Sequence, residues 1–405
     1  MGRPAARRRA ALKALIPETG FRAVFCRELV RMARSRLLIM VVFLLPPLSF
    51  AFIAWFFSQG VLSNLPVAVL DQDNTQLSRE IIRRMDATPG IRIHLPASNF
   101  TEGRQAIQSG ETYGLLIIPK NLEKDVLRGL APKTILYVNN TYMIAASLIM
   151  KDATMAMQSL SSGLELKRHM AEGQTRNAAI GRIQPIRVDV RVPFNPYSNY
   201  FYFLAATLLP TMLHMFVITS AIYALGSELA RSTAAEWLEK AGGSAWIAII
   251  AKILPYTLIF CVWGLFMNAF LFRMGVPMEG SGLLLRLATS SMVLAYQAVA
   301  LFLVAICANM RMALSLASFY ASTAFAFVGV TFPAMGMPSA ARLWGDLLPL
   351  THYLRLFVDQ TLRGAPVQAS MDAFGSLWLF VILAGGTGLI LMPGRMKNPV
   401  YWGRK

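Results

Sequence analysis

The sequence has few charged residues and few cysteines for its length. Charged side chains make up 15% of its 405 residues, and hydrophobic side chains make up 55%. A typical soluble domain carries about 25% charged residues, so this composition excludes an ordinary soluble protein. The three cysteines are Cys26, Cys261 and Cys307, and none lies in the long hydrophilic stretch that begins near residue 65. No disulfide framework can therefore stabilise that stretch.

Acidic residues are scarce relative to basic ones, 21 against 39, which gives a formal net charge of +18. Such a charge suits either nucleic acid or anionic lipid headgroups as a partner. No zinc-ligand spacing and no alternation of basic and aromatic residues supports a nucleic-acid partner. The basic residues of the first 36 positions instead directly precede an apolar run, as expected for a cytoplasmic arm held against a bilayer. These residues are Arg3, Arg7, Arg8, Arg9, Lys13, Arg22, Arg27, Arg31, Arg34 and Arg36.

Sequence motifs for nucleotide binding, nucleophilic catalysis and metal binding are missing. The chain contains neither G-x-x-x-x-G-K-[ST] nor G-x-S-x-G, the motifs of a phosphate-binding loop and of a nucleophile elbow. The histidines are dispersed without metal-ligand spacing, at His94, His169, His214 and His352. The sequence therefore predicts no catalytic residue, no metal and no cofactor in this chain, and hence a protein that is not an enzyme.

Six apolar runs are long enough to cross a bilayer, which takes about 20 residues. They lie at 37–57, 200–225, 246–272, 283–308, 312–332 and 374–392. Six crossings place both termini on the same side, and the basic residues of the short connections place that side in the cytoplasm. The first run starts late and lacks a small-residue cleavage site, so we expect a retained signal-anchor.

Residues 65–191 alternate between predicted strands and predicted helices. The strands lie at 66–70, 91–95, 113–118, 134–138 and 186–192, and the helices at 76–85, 101–108, 122–127 and 143–170. This alternation predicts an α/β domain with its own core, which the first crossing delivers outside the cytoplasm. Residues 71–74 begin like a calcium loop, but Gln76 and Ile82 stand where that loop needs glycine and glutamate. We interpret them as a strand-to-helix cap.

The predicted crossings hold almost no charge, and the polar residues noted within them are His214, Asn268 and Gln297. Ion-coupled carriers need titratable groups at depth, so the energy for any transport is expected to come from elsewhere. The simplest role for His214 is a hydrogen bond between helices. An ion-coupled role for this histidine stays open.

The connection at 227–240 predicts one short amphipathic helix that Gly242 and Gly243 end. A rigid helix with an aromatic anchor and charges at its rim suits docking into the groove of a partner. An interfacial connector is equally consistent with the pattern. The apolar face is formed by Leu229, Ala230, Thr233, Trp237 and Leu238, and the charges by Glu228, Arg231, Glu236 and Lys240.

The whole chain resembles the ABC-2 type permeases, in particular the bacterial multidrug-type efflux permeases with a large external domain after the first helix. The likeness rests on residues 65–74 (LPVAVLDQDN), 194–196 (FNP), 228–238 with 252–255, 332–338, and 349–364. The segment 228–238 is similar to the family pattern E-x-x-x-G-T…E-x-L. Ser232 departs from that pattern, because it stands where the family usually has glycine.

This resemblance implies the membrane-spanning subunit of an ATP-binding cassette exporter in the bacterial inner membrane. It would move a hydrophobic or amphipathic substrate outward with separate cytosolic ATPase subunits, as a dimer with a second copy or a related permease. Some family members also work with a periplasmic adaptor and an outer-membrane channel. The expected coupling helix is 228–240, with Glu228, Arg231, Thr233, Glu236, Trp237 and Leu238 as its coupling residues. The candidate substrate path lies near Pro210, His214 and Pro333.

The predicted fold is an α-helical polytopic membrane protein with six transmembrane helices and an inserted extracytoplasmic α/β domain. Its parts are a cytoplasmic basic arm and interfacial helix (1–36), a first transmembrane helix (37–59), a periplasmic α/β domain (60–197), transmembrane helices two to six (198–394) and a cytoplasmic tail (395–405). The fourth part includes the coupling helix and an external re-entrant region at 333–364. Two other functions stay open: an ion-coupled carrier that depends on His214, and a non-transporting scaffold or receptor that binds a partner through the external domain.

Overall fold

The computed structural model describes residues 19–58, 60–183, 199 and 201–404. The chain divides into two compact units, one of Val61–Pro193 and one of Met1–Gly60 with Phe194–Lys405. The predicted strand at 186–192 and the motif at 194–196 lie outside the described residues.

The first elements are helices α1 (Phe21–Arg34) and α2 (Arg36–Phe56). The α/β unit then contains β1 (Leu65–Asp71), α3 (Gln76–Asp86), β2 (Ile91–Pro96), α4 (Phe100–Gln108), β3 (Gly114–Ile118), α5 (Leu122–Leu127), β4 (Ile135–Val138), α6 (Met143–Ala171) and α7 (Arg176–Ile183). The chain continues with α8 (Phe201–Ala230), α9 (Ala234–Lys240), α10 (Ala245–Arg273), α11 (Gly282–Cys307), α12 (Met310–Phe327), α13 (Ser339–Asp346), α14 (Pro349–Thr361) and α15 (Val367–Lys397).

The α/β unit contains a four-stranded sheet in the order β2-β1-β3-β4. β1 pairs in parallel with β2 and β3, and β4 is antiparallel to β3. Val67 and Val69 pack with residues of α3 and α6 on one face, and Ala68 and Leu70 pack beside Ile107 of α4 on the other. The alternation of side chains along β1 thus supplies both cores. Four of the five predicted strands and all four predicted helices of this region are found close to their predicted positions.

The segment after β1 is a helix cap, as the sequence predicts. The Asp71 carboxylate accepts hydrogen bonds from the backbone of Asp73 and Asn74 and from the Ser78 hydroxyl at 2.7 Å. Thr75 is the N-cap of α3, and its side chain and that of Ser78 form a reciprocal capping box. The side chains that resemble a calcium loop are therefore used to start a helix.

Five helices among the described residues are long and apolar enough to cross a membrane: α2, α8, α10, α11 and α15. In α11, 67% of the most apolar window is buried within the chain, whereas in α15 only 17% is buried. α11 is therefore central, and α15 presents most of its apolar surface outward, as a lipid-facing helix does.

The predicted crossing at 312–332 corresponds to α12, which ends early at Phe327. It contains Arg311 near its start, and it is not among the five helices that meet the criteria for a span. Its small residues Ala313 and Ala317 are buried in the helical core. The described part of the chain thus contains five helices with the properties of a span, where the sequence predicts six.

Candidate functional site

The connection between α8 and α10, residues 231–244, differs from the single helix predicted at 228–240. α8 ends at Ala230, and α9 begins at Ala234. Ser232 between them has φ +58°, in the left-handed region that L-residues rarely adopt. The backbone N–H of Thr233 donates back to the Glu228 carbonyl at 2.9 Å, which closes the end of α8. The prediction of one continuous coupling helix is therefore wrong, because a tight turn breaks it into two.

Glu228, in the last turn of α8, has a carboxylate that is almost fully buried and multiply hydrogen-bonded. Its side chain is 2% exposed. Arg27 donates to both oxygens at 3.0 and 3.3 Å, and Arg31 donates to Oε1 at 3.0 Å. Lys252 Nζ donates to Oε1 at 2.8 Å, and the Thr233 hydroxyl donates to Oε2. One carboxylate thus binds groups from α1, from the connection and from α10.

A second buried carboxylate, Glu28 of α1, completes the site. It is 1% exposed and accepts a hydrogen bond from the Tyr256 hydroxyl at 2.7 Å. Lys252, which is 0% exposed, donates from Nζ to Glu28 as well as to Glu228. Arg31 Nη1 also lies 3.5 Å from Glu28 Oε2. The lysine therefore bridges two carboxylates that lie far apart in the sequence, one in α1 and one at the end of α8.

We call these five residues the charge cluster: Arg27, Glu28, Arg31, Glu228 and Lys252. A buried charge without a partner costs several kcal/mol, whereas a well-bonded buried pair is held in one geometry. Each charge here has at least one partner of opposite sign. The cluster therefore fixes α1, the end of α8 and α10 relative to one another. Its contribution to net stability is expected to be small, but the loss of one member should be costly.

Trp237 of α9 lies beneath the connection rather than on its surface. It is 0% exposed, and its Nε1 donates to the Ala248 carbonyl of α10 at 3.1 Å. Lys252 Nζ lies 5.2 Å from the centre of its ring, within the range of a cation–π contact. The indole therefore anchors α9 to the core of its own chain and offers no surface to a partner.

Other predicted coupling residues of the connection, unlike Trp237, have accessible side chains. Glu236 is 59% exposed and lies 3.7 Å from Arg27. Arg231 is exposed, and its Nη2 donates to the Tyr223 hydroxyl at 3.1 Å. Leu238 is half-buried. Of the predicted set, Arg231 and Glu236 thus have exposed side chains, whereas Glu228 and Trp237 face inward.

Of the charge cluster, Glu228 alone is a predicted site residue. Arg27 and Arg31 are predicted as part of the basic arm, and Lys252 lies in a segment that carries the family resemblance without a predicted role. No role is predicted for Glu28. The expectation of spans almost free of charge is wrong at Lys252, which lies within the predicted run 246–272. A lone lysine in an apolar run is a functional candidate by default. Glu28 is the one acidic residue between positions 19 and 70. Both residues are conspicuous in the sequence, but nothing near either of them shows that the two side chains meet in the fold.

The predicted substrate-path residues lie in different environments. His214 is 0% exposed, its Nδ1 lies 3.3 Å from the Pro210 carbonyl oxygen, and its ring stacks on Tyr296 with centroids 4.4 Å apart. Pro333 is exposed in the segment after α12. His214 therefore has the packing of an interhelical core residue, with no surface available to a substrate in this arrangement.

Comparison with known families is consistent with this architecture. The family model described as "ABC-2 family transporter protein" matches residues 36–390. The matched range includes Glu228 and Lys252, whereas Glu28 lies before it. No curated protein matches the sequence. Because the family match covers most of the chain and its described part contains five helices suited to cross a membrane, the chain belongs to the ABC-2 family of transporter proteins and is a multi-pass membrane protein.

Proposed function

We propose that this chain is the permease subunit of an ATP-binding cassette exporter, which moves a hydrophobic or amphipathic substrate out of the cytoplasm or inner membrane. Family membership supports a separate ATPase subunit as the energy source. The observation that carries the proposal is the charge cluster. It joins an exposed connection to α10, one of the membrane-spanning helices, through buried ionic contacts.

In this proposal the ATPase contacts the exposed side of the connection, at Arg231 and Glu236. Movement of the ATPase displaces α9, and the displacement passes through the bond between Thr233 and Glu228. From Glu228 it reaches Lys252 of α10 and the two arginines of α1. Because these contacts are buried and the Glu228 carboxylate binds several groups at once, a displacement of the connection can move α10 and α1 with little change in the contacts themselves.

Trp237 has a positioning role in this mechanism. Its indole fixes α9 on α10 by the bond to Ala248, so that α9 and α10 move together. Truncation of Trp237 would therefore loosen the connection from within. It would not remove a contact with the ATPase.

The proposed topology follows from this placement of the ATPase. The connection between α8 and α10, both termini and α1 lie in the cytoplasm, and the α/β unit lies in the periplasm. α12 provides the sixth crossing, and residues 333–364 form an external re-entrant region. The permease acts as a dimer with a second copy or a related permease, and a periplasmic adaptor and outer-membrane channel are further candidate partners. A substrate path near Pro210, His214 and Pro333 would require α8 to move, since His214 is fully enclosed.

One structural observation favours an alternative, an ion-coupled carrier. Lys252 is a buried ionisable group within a membrane-spanning helix, and such groups often carry protons in transporters. Its two carboxylate partners are already engaged with arginine or tyrosine, which favours a structural role. The alternative requires transport without ATP.

The proposal can be tested by purifying the tagged chain in mild detergent and identifying the proteins that remain bound. We expect a stoichiometric subunit that contains G-x-x-x-x-G-K-[ST]. Glu236→Lys reverses an exposed charge of the connection and should reduce its recovery, whereas Glu111→Lys, the same change at an exposed site of the α/β unit, should not. Recovery of a pure chain with no ATPase, still active in proteoliposomes, would contradict the proposal.

A further inference from the structure

A cationic groove lies next to the charge cluster, between α1 and the C-terminal end of α8. Its volume is about 420 Å³, and no carboxylate of the described residues lines it. Two hydroxyl groups, those of Ser35 and Tyr223, are also part of its wall. The four guanidinium groups that line it belong to Arg27, Arg31, Arg34 and Arg231.

The positive charge of this groove is only partly neutralised by the protein. Arg27 and Arg31 bond to Glu228. Arg34 makes no ion pair within the described residues, and the contact that Arg231 makes there is its hydrogen bond to the Tyr223 hydroxyl. Arg27 also lies 3.7 Å from Glu236, and Arg31 lies 3.5 Å from Glu28. Two of the four guanidinium groups, those of Arg34 and Arg231, therefore have no carboxylate partner among the described residues, and they have donors free for an anion.

An apolar path leads from the groove along the first membrane-spanning helix. Val30, which lines the groove, is 44% exposed. Leu37 and Met40 at the start of α2 are 48% and 47% exposed. α2 buries only 28% of its apolar window within the chain, so these side chains face lipid in a multi-pass protein. The groove thus lies where a polar headgroup region meets acyl chains.

We propose that this groove binds the phosphodiester headgroup of an anionic phospholipid, with the acyl chains lying along α2. Guanidinium groups bind phosphate oxygens through paired, charge-assisted hydrogen bonds. The absence of a lining carboxylate leaves the ammonium of an ethanolamine headgroup without a partner, so the site selects anionic over zwitterionic lipid. An acidic protein segment would match the charge but leave the apolar path along α2 uncovered, which favours the lipid. The groove shares Arg231 with the proposed ATPase contact but not the exposed face of α9. Lipid binding is measured on the purified chain without the ATPase, so that its failure leaves the proposed function untouched.

The test measures lipid binding to the purified full-length chain in detergent by native mass spectrometry. The probes are phosphatidylglycerol and phosphatidylethanolamine with identical acyl chains, with glycerol 3-phosphate and inorganic phosphate as water-soluble sources of the same chemistry. The test variant is Arg34→Ala/Arg231→Ala, which removes two exposed arginines and leaves the charge cluster intact. The matched control is Arg311→Ala/Lys397→Ala, which removes two exposed cations elsewhere in the helical unit.

We expect the wild type to prefer phosphatidylglycerol. The test variant should lose about five-fold in affinity for each arginine removed, since each basic side chain near an anionic lipid contributes on that order. The control should bind as the wild type does. If the double variant does not fold, Arg34→Gln alone gives the same test with an expected loss of about five-fold.

Four results would overturn the inference. Equal losses in the test and control variants would show that net charge alone attracts the lipid. Binding of glycerol 3-phosphate or phosphate with the affinity of the lipid would assign the groove to a soluble phosphate. Unchanged binding of phosphatidylglycerol by the test variant, or a partner protein cross-linked to Arg34 in the native membrane, would remove the lipid from this groove.

Discussion

Replacing Lys252 by methionine removes the ammonium that bridges the two buried carboxylates of the charge cluster. Removing one partner of a buried ion pair usually costs about 3–5 kcal/mol, because the remaining charge is left uncompensated. Here Glu228 keeps the hydrogen bonds from Arg27 and Arg31, and Glu28 keeps the bond from Tyr256. We therefore expect a loss near the lower end of that range, about 3 kcal/mol.

The free energy of unfolding can be measured by titrating the purified chain from mild detergent into sodium dodecyl sulfate. Lys397→Met is the matched control, because Lys397 is exposed and its loss should change stability by no more than about 0.5 kcal/mol. The double variant Lys252→Met/Glu28→Gln removes both charges of one pair. It should lose less than the sum of the single changes, with a coupling energy of about 1–3 kcal/mol. A Lys252→Met variant within about 1 kcal/mol of the wild type, or a coupling energy near zero, would refute the reasoning.

The remaining predictions concern the connection and the α/β unit. Ser232→Gly should raise the free energy of unfolding by about 0.5–1 kcal/mol, because glycine adopts the left-handed conformation without the penalty of a side chain; an unchanged or lower value in the same titration would contradict the assigned turn. Trp237→Phe should lower the free energy of unfolding by about 1 kcal/mol, because the hydrogen bond to Ala248 is lost, and the variant should still co-purify with the ATPase. Trp237→Ala should lower the free energy of unfolding by about 3–5 kcal/mol. Loss of the ATPase from a stable Trp237→Phe chain would contradict the inward placement. Partial burial raises the pKa of the Asp73 carboxyl, but hydrogen bonds from the Thr75 hydroxyl and the backbone of Glu123 and Leu122 outweigh it and hold the pKa below its usual value. Its stabilising effect is thus present above the unfolded-state pKa of about 4 and is lost as the pH falls through the lower folded-state value. Thermal unfolding of the full chain followed between neutral and acidic pH should therefore depend less on pH in Asp73→Asn than in the wild type, and identical profiles would contradict this role.

The α/β unit was predictable because its signals are local. A strand such as β1 is recognised from its own apolar residues, and the start of α3 from the Thr75 and Ser78 pair within a few positions. These signals act within one element and do not depend on the rest of the chain. The predicted bounds of most of these elements therefore lie close to the observed ones.

The turn at Ser232 could not be predicted from local propensity. Residues 227–240 contain alanine, glutamate, leucine and lysine, which favour a continuous helix. Serine rarely adopts positive φ, so nothing in the residue itself signals the break. The contact that closes α8, from Thr233 back to Glu228, is visible only in the folded chain.

The charge cluster was hidden because its members are far apart in sequence. Arg27 and Glu228 are separated by 201 positions, and Glu28 and Lys252 by 224. Periodicity places Glu28 on a helix and Lys252 in a span, but it contains no information on which helices pack together. The same limit explains Trp237, whose aromatic ring on an amphipathic helix predicts an anchor without indicating whether the core or a partner receives it.

The central claim, that the exposed face of α9 contacts an ATPase while Trp237 anchors α9 from within, is tested most directly by site-specific photo-cross-linking in intact cells. A photoreactive amino acid is placed at position 236 in one variant and at position 237 in another. The account predicts that position 236 cross-links to a chain containing G-x-x-x-x-G-K-[ST], and that position 237 cross-links only within its own chain, to α10. A cross-link to the ATPase from position 237 and none from position 236 would contradict it.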